Sequence, residues 1–287
     1  FQEYGEDCVN YFNGMWAFVI WNKKKKLFFF SRDRFGEKPL YYYKDKNNFV
    51  FGSEIKFIKN ILGNKIEINR NKIFDLLNYG YKSIHQDNET YYKNIFSIDS
   101  GENLIIDQNL KIKKKKYWLP KLNTNNDISY EDIILETDKI LTNSLNIRMR
   151  SDVPLAFCLS GGVDSGYLAS LAQKKFSKQI STFSIIDEDP RYNESENINK
   201  IVDDLKCHNY QIFLNKNQNF FQKMRELIAQ HDSPISTLSY YIHSFLSEQI
   251  SNKGFKVAIS GTGADEIFTG YYEHFHLFFA SLNQDNI

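Results

Sequence analysis

The sequence predicts an α/β protein in two parts: antiparallel, hairpin-built sheet first, then a parallel sheet with helices on both faces. Three observations predict it. Up to residue 118 the apolar residues fall in short aromatic and β-branched runs paired across polar turns. From residue 130 onwards, helical periods alternate with short, almost wholly apolar runs, the pattern of βαβ units in a sheet buried on both sides. Between them "LPKLNTNNDIS" has no apolar period and is rich in Asn, Pro and Asp, which reads as a linker over 119–129.

In order, "MWAFVIWN" and "LFFFSRD" flank the turn Lys23–Lys26, and "PLYYYK" and "NFVFGSE" flank a turn at Asp45–Asn48. Apolar residues recurring at three and four positions predict helices over Glu54–Leu62 and Asn71–Tyr79, and "ENLIIDQNLKIKKKKYW" predicts a third hairpin. Ser129 with Asp132 forms a capping-box start for a helix to Arg150, with Ile134, Leu141 and Leu145 on its inner face. Strands follow at Val153–Leu159, Ile180–Ile186, Asn209–Leu214 and Lys256–Ser260. The helices among them start near Ser165 and span Glu194–Leu205, Phe221–Gln230 and Ser239–Ile250.

A chain of 287 residues is long enough for roughly two domains. Its net charge of +1 provides no global field directing it to nucleic acid or an anionic membrane. The two lysine runs, Lys23–Lys26 and Lys113–Lys116, each sit at a predicted hairpin and read as a solvated turn and a protected strand edge. Cys8, Cys158 and Cys207 are too scattered for a disulfide framework or a zinc site, which fits a reduced, cytoplasmic setting. No apolar run approaches the roughly 20 residues that span a bilayer. A start at Phe1 and an end just after an apparent helix suggest a piece of a longer protein.

The densest chemical signal is "LSGGVDSG", where a strand runs into two glycines and a helix. Gly161 and Gly162 permit a sharp turn and leave room for a bulky anion, while the helix beyond points free amides and its positive dipole end into the same space. Ser160 and Ser165 add hydroxyls. A phosphate or pyrophosphate is the ligand such a loop predicts. Asp164 repels it unless a cation intervenes, and magnesium bridging carboxylate and phosphate oxygens resolves the conflict. The turn "ISGTGADE" repeats this composition at another strand end, so that Asp164 and Asp265 can share the metal. A Walker loop lacks its lysine here, and the dinucleotide fingerprint lacks its third glycine. The plain alternative is two ordinary strand-to-helix turns with acidic first residues.

These residues resemble a known family. "LSGGVDSG" is similar to the pyrophosphate loop of N-type ATP pyrophosphatases, and "ISGTGADEIFTGYY" to the second nucleotide turn of the glutamine-hydrolysing asparagine synthetases. "GMWAFVIWN", "RDRFGEKPLYYY" and "FGSEIK" look like the back half of that family's amidotransferase domain. The resemblance implies a partial N-terminal-nucleophile amidotransferase domain over 1–118 and an ATP pyrophosphatase domain from 130 to 287. It implies ATP and Mg2+ as cofactors, with glutamine, ATP and aspartate or another carboxylate as small-molecule partners and no nucleic acid or membrane, and it allows a homodimer. In such enzymes ATP activates a carboxylate as an acyl-adenylate, and ammonia from glutamine then gives the amide. By the same resemblance Ser160, Gly161, Gly162, Asp164 and Ser165 hold the pyrophosphate end. Leu159, Ile185, Ser260 and Gly261 contact the adenosine, and Asp164 and Asp265 the metal.

The departures are informative. The family's nucleophilic cysteine and its later catalytic lysine fall outside this chain, so the chain as given is expected not to hydrolyse glutamine. Cys8 reads as a partly buried thiol and not as a substitute nucleophile. Thr262 stands where the family usually has glutamate and offers no carboxylate, which opens a different acceptor such as a sugar acid. A β-lactam synthetase-like ligase and an inactive nucleotide-binding remnant are the other readings. His231, His243, His274 and His276 lie on predicted helices without metal spacing, and "RYNESE" near Tyr192 reads as a helix opening.

Overall fold

Side chains that alternate between two faces of a strand build the first sheet. The computed structural model describes residues 1–84, 87–121, 127–214 and 219–282. Strands β1 (Ala17–Asn22) and β2 (Leu27–Arg32) pair antiparallel across the lysine turn. Next come β3 (Tyr41–Lys44), β4 (Phe49–Gly52), α1 (Ile55–Leu62), α2 (Arg70–Tyr79), β5 (Ile95–Ser97), β6 (Glu102–Asp107) and β7 (Ile112–Lys116). The hairpins segregate into two antiparallel sheets, ordered β1-β2-β6-β7 and β4-β3-β5. Both edges of β3 are taken by β4 and β5, and both edges of β2 by β1 and β6, so no single layer forms. The exposed Lys113–Lys116 run lies along the edge strand β7.

The two sheets share one core. Phe30, Leu104 and Ile106 of one meet Leu40 and Tyr42 of the other region, and Phe30 packs edge-on against Phe51 at 5.1 Å between ring centres. Of the linker read at 119–129, residues 122–126 lie outside the described residues.

The second region begins with α3 (Tyr130–Arg148), whose N-cap Ser129 accepts the Asp132 amide at 3.1 Å. Ile134 is 50% exposed and not on an inner face as expected. The helix has 19 residues and is roughly 28 Å long, and it meets the core near its C-terminal end, at Leu145, with Met149 just beyond its last residue. Then come β8 (Leu155–Cys158), α4 (Val163–Ser170), β9 (Ser181–Ile186), α5 (Ser195–Leu205), β10 (His208–Phe213), α6 (Phe220–His231), α7 (Leu238–Asn252), β11 (Val257–Ile259), α8 (Ala264–Phe268) and α9 (Tyr272–Ser281). The sheet is parallel throughout, ordered β10-β9-β8-β11. Alternate residues of β8 serve its two faces: Phe157 packs with α3, α4 and α5, and Ala156 with Phe245 and Ile250 of α7. The predicted doubly wound α/β fold is what forms. Among the described residues no helix is long and apolar enough to cross a membrane.

By internal packing the chain forms two units, Phe1–Asn125 with Phe220–Leu238, and Asn126–Asn219 with Ser239–Ile287. A stretch from the second half of the sequence thus belongs to the first unit.

The "RDRFGEKPLYYY" motif is a structural clamp in that unit. Asp33 is 1% exposed and accepts four backbone amides, from Trp16 (3.3 Å), Phe35 (3.1 Å), Glu37 (2.9 Å) and Lys38 (2.9 Å). Arg32 donates to the carbonyls of Gly36, Lys38 and Ile98 at 2.6, 2.8 and 2.6 Å, so the two side chains fix both sides of one loop. Replacing Asp33 by Ala strands buried donors, and we expect a loss of about 3 kcal/mol in the unfolding of this unit. All three tryptophans lie in the unit, so tryptophan fluorescence in a denaturant titration reports it; an unshifted midpoint refutes the clamp.

Candidate functional site

The strand order reverses between β8 and β11, because β8, β9 and β10 progress to one side and β11 returns to the other. Helices leave opposite faces at that point, which opens a crevice beyond the strand ends.

After β8, the Leu159 amide donates to the Phe183 carbonyl at 2.9 Å and the chain then turns. Gly161 has φ +84°, and a Cβ there meets Glu194 Cβ at 3.3 Å and Asn197 Cβ at 3.2 Å, so the position requires glycine twice over. Gly162 caps α4 in extended backbone. Ser165 is buried at 7% exposure. Its Oγ accepts the Ser160 amide at 3.1 Å, donates to the Gly162 carbonyl at 3.2 Å and lies 3.0 Å from Ser160 Oγ. Ser165 therefore braces the loop. Asp164 is exposed at the first turn of α4, beside amides that a helix start leaves unpaired.

The loop after β11 is built alike. Ser260 Oγ donates to Thr262 Oγ1 at 2.9 Å and accepts the Thr262 amide at 3.3 Å. The two loops touch through Gly261, since a Cβ at that position lies 2.9 Å from Asp164 Cβ and 3.0 Å from the Ser165 amide nitrogen. Only glycine permits this approach.

Together the loops line a cleft of about 530 Å³, ordinary for a small-molecule site. The residues singled out in the sequence converge on it: Leu159, Ser160, Gly162, Asp164, Ser165 and Ile185 from one side, Ser260, Gly261 and Asp265 from the other. Gly161 shapes the loop without lining the cleft. The lining also contains residues the sequence reading did not place there. Asp187 directly follows β9 and was legible from the strand-end rule; Tyr192 and Glu194 come from the segment read as a helix opening. His243 and Ser247 of α7 carry no local signal of a site.

The electrostatics are one-sided. Asp164, Asp187, Glu194 and Asp265 line the cleft, and no Lys or Arg does among the described residues. No group of three or more His, Cys, Asp or Glu among them is placed to hold a metal. Burial pushes the Cys158 thiol up to about 11, which keeps it protonated and unreactive near neutral pH.

Fold and cleft define a doubly wound α/β unit with an acidic crevice at its switch point, joined to an antiparallel two-sheet unit in one chain. That chain belongs to the asparagine synthase family: the asparagine synthase model matches residues 136–287, and the glutamine amidotransferase domain model matches residues 1–118. Among similar curated proteins is "Putative asparagine synthetase (glutamine-hydrolyzing) 2" of Methanocaldococcus jannaschii, 36% identical over 96% of this chain and 53% of its own. Another is asparagine synthetase (glutamine-hydrolyzing) 1 of Bacillus subtilis, 29% identical over 94% and 42%. A third is amidase chyE of Penicillium rubens, 25% identical over 94% and 42%. The chain spans about half the length of the curated relatives it matches.

Replacing Gly261 by Ala drives a methyl group into the Asp164 backbone region, an overpacking worth about 2 kcal/mol. A thermal melt of the variant is expected to show the corresponding fall in midpoint, and an unchanged melt means the loops are not in contact.

Proposed function

We propose that the cleft binds ATP and that the protein carrying this chain forms an amide from a carboxylate and ammonia, with aspartate as acceptor and glutamine as nitrogen source. The observation that carries the reading is the meeting of two Ser–Gly loops on one cleft at the switch point of a parallel sheet. In this reading Leu159, Ile185, Ser260 and Gly261 contact the adenosine. Ser160, Gly161, Gly162, Asp164 and Ser165 form the pyrophosphate end.

The donor set suits magnesium. Mg2+ takes one or two carboxylates and completes its shell with water and phosphate oxygens, and Asp164 and Asp265 provide such a pair in a cleft with no lysine or arginine of its own among the described residues. When bound, it neutralises charge on the polyphosphate and on the departing pyrophosphate. The amides of the first turn of α4 stabilise the same charge from a fixed position. A carboxylate oxygen of the acceptor attacks the α-phosphorus and the bond to pyrophosphate breaks. Ammonia then attacks the acyl carbon, loses a proton, and AMP departs with the former carboxylate oxygen. The first unit, matched by the amidotransferase family, is assigned to the glutamine side, and three free cysteines agree with a reducing, cytoplasmic setting.

The finer question is the acceptor. Thr262 lines the cleft with its hydroxyl bound to Ser260 and brings no carboxylate, and the names of the relatives include an amidase beside asparagine synthetases. The protein at its full natural length is assayed for pyrophosphate release from Mg–ATP with ammonia, with and without aspartate. Aspartate is expected to raise the rate by at least about tenfold, the scale of a required substrate. Release that responds only to another carboxylate moves the acceptor, and the absence of release with any carboxylate refutes the reading.

A further inference from the structure

Four carboxylates line the cleft, and the metal reading above uses two of them, Asp164 and Asp265. Asp187 is placed differently from both. Those two lie on the loops after β8 and β11, whereas Asp187 directly follows β9. In the strand order β10-β9-β8-β11, this puts Asp187 on the side of β8 away from β11. Neighbouring strands lie about 4.8 Å apart, so β9 and β11 run roughly 10 Å from each other. Asp187 is therefore available to a different part of the ligand.

Residues two apart on a strand share a face, so Phe183, Ile185 and Asp187 form one file, and all three line the cleft. At about 3.3 Å per residue the file climbs roughly 13 Å from Phe183 to Asp187. Its lower end is apolar: Phe183, Leu246 and Ile250 belong to the core between the sheet and α7, and Ile185 and Ala258 continue that surface into the cleft. Its upper end is polar. Counted on from Cys158 opposite Phe183, the register with β8 brings Asp187 level with the glycine turn.

The carboxylate is held in place. Asp187 is half-buried, and its Oδ1 accepts the Asp189 amide at 2.8 Å. A carboxylate has about four acceptor sites, which leaves capacity for further donors. Ionised, it accepts and cannot donate, so it needs donors from the ligand. Ionised phosphates offer none, while the sugar of a nucleotide offers two adjacent hydroxyls. A planar base suits the apolar lower end of the file, and the phosphates belong to the glycine turn in the reading above. The sugar joins the two, and Asp187 stands where the file passes from apolar to polar.

We propose that Asp187 is a specificity-determining residue of the cleft: its carboxylate accepts hydrogen bonds from the ribose hydroxyls of the nucleotide and selects ribose over deoxyribose. An acidic side chain near a strand end takes this part in dinucleotide folds. A site built to bond a hydroxyl rejects the analogue that lacks it, because the buried partner is left unpaired. The inference rests on the nucleotide reading above and adds the side chain that takes the sugar.

The test compares dissociation constants of the magnesium complexes of ATP, deoxy-ATP and inosine triphosphate for the parent chain, Asp187→Ala and Asp187→Asn. Deoxy-ATP lacks one ribose hydroxyl; inosine triphosphate keeps the sugar and lacks the amine of the base. The parent is expected to bind ATP about tenfold more tightly than deoxy-ATP. In Asp187→Ala that ratio is expected to fall to within about twofold, and in Asp187→Asn, which keeps an uncharged acceptor, to about threefold. The ratio is the readout because a residue that merely shapes the loop weakens all three ligands alike. An Ala variant that retains the parent's ratio overturns the proposal, as does a parent that does not distinguish the two sugars. Loss of discrimination against inosine triphosphate with the sugar ratio intact also overturns it, since the carboxylate then reads the base. If Asp187→Ala does not fold, Asp187→Asn decides by the same ratio. A parent that binds no Mg–ATP refutes the nucleotide reading and this inference together, whereas binding with an unchanged ratio overturns this inference alone.

Discussion

The approach of Gly261 to Asp164 is the contact on which the cleft depends. It joins two strand ends that are separate in sequence, and it works because one position lacks a side chain: a Cβ there lies 2.9 Å from Asp164 Cβ. With that contact the acidic side chains of both loops face one volume. Without it, each loop is a strand-to-helix turn of a common kind, with one carboxylate at a helix start and nothing to hold a ligand from the other side. The parallel sheet is what makes the approach possible, since β8 and β11 are neighbours in register, from Leu155 with Val257 to Phe157 with Ile259.

A second constraint governs the first unit. Asp33 collects backbone amides from both sides of its loop and Arg32 collects carbonyls, so a polar pair does what apolar packing does elsewhere in the unit. The motif that made this region recognisable is therefore part of its framework. The loop residues of the second unit are of the opposite kind: Ser165 and Gly161 shape the loop, while Asp164 is exposed to whatever the cleft holds.

Much of this was legible in the sequence, for a local reason. Strand and helix positions followed from period and turn chemistry, and the convergence of Asp164 and Asp265 from the rule that ligands sit at the carboxyl ends of parallel strands. What was not legible depends on partners distant in the chain. β5 is three residues long and exists because β3 has a free edge for it. The separation into two sheets depends on which edges are occupied, and the exposure of Ile134 on how far α3 reaches beyond the core. His243 and Ser247 look like any residues of an amphipathic helix until α7 is laid over the sheet. That Ser165 also braces the loop from within, through its hydroxyl, depends on the folded turn and has no signal in the sequence.

The central claim is that an acidic cleft at the switch point holds a polyphosphate only together with a divalent cation. Calorimetric titration of ATP into the 287-residue chain, with magnesium and then with excess chelator, tests it most directly. The account predicts binding with magnesium and a loss of at least about tenfold in affinity without it, because four carboxylates then face the phosphates unscreened. Equal affinity in both conditions would contradict it.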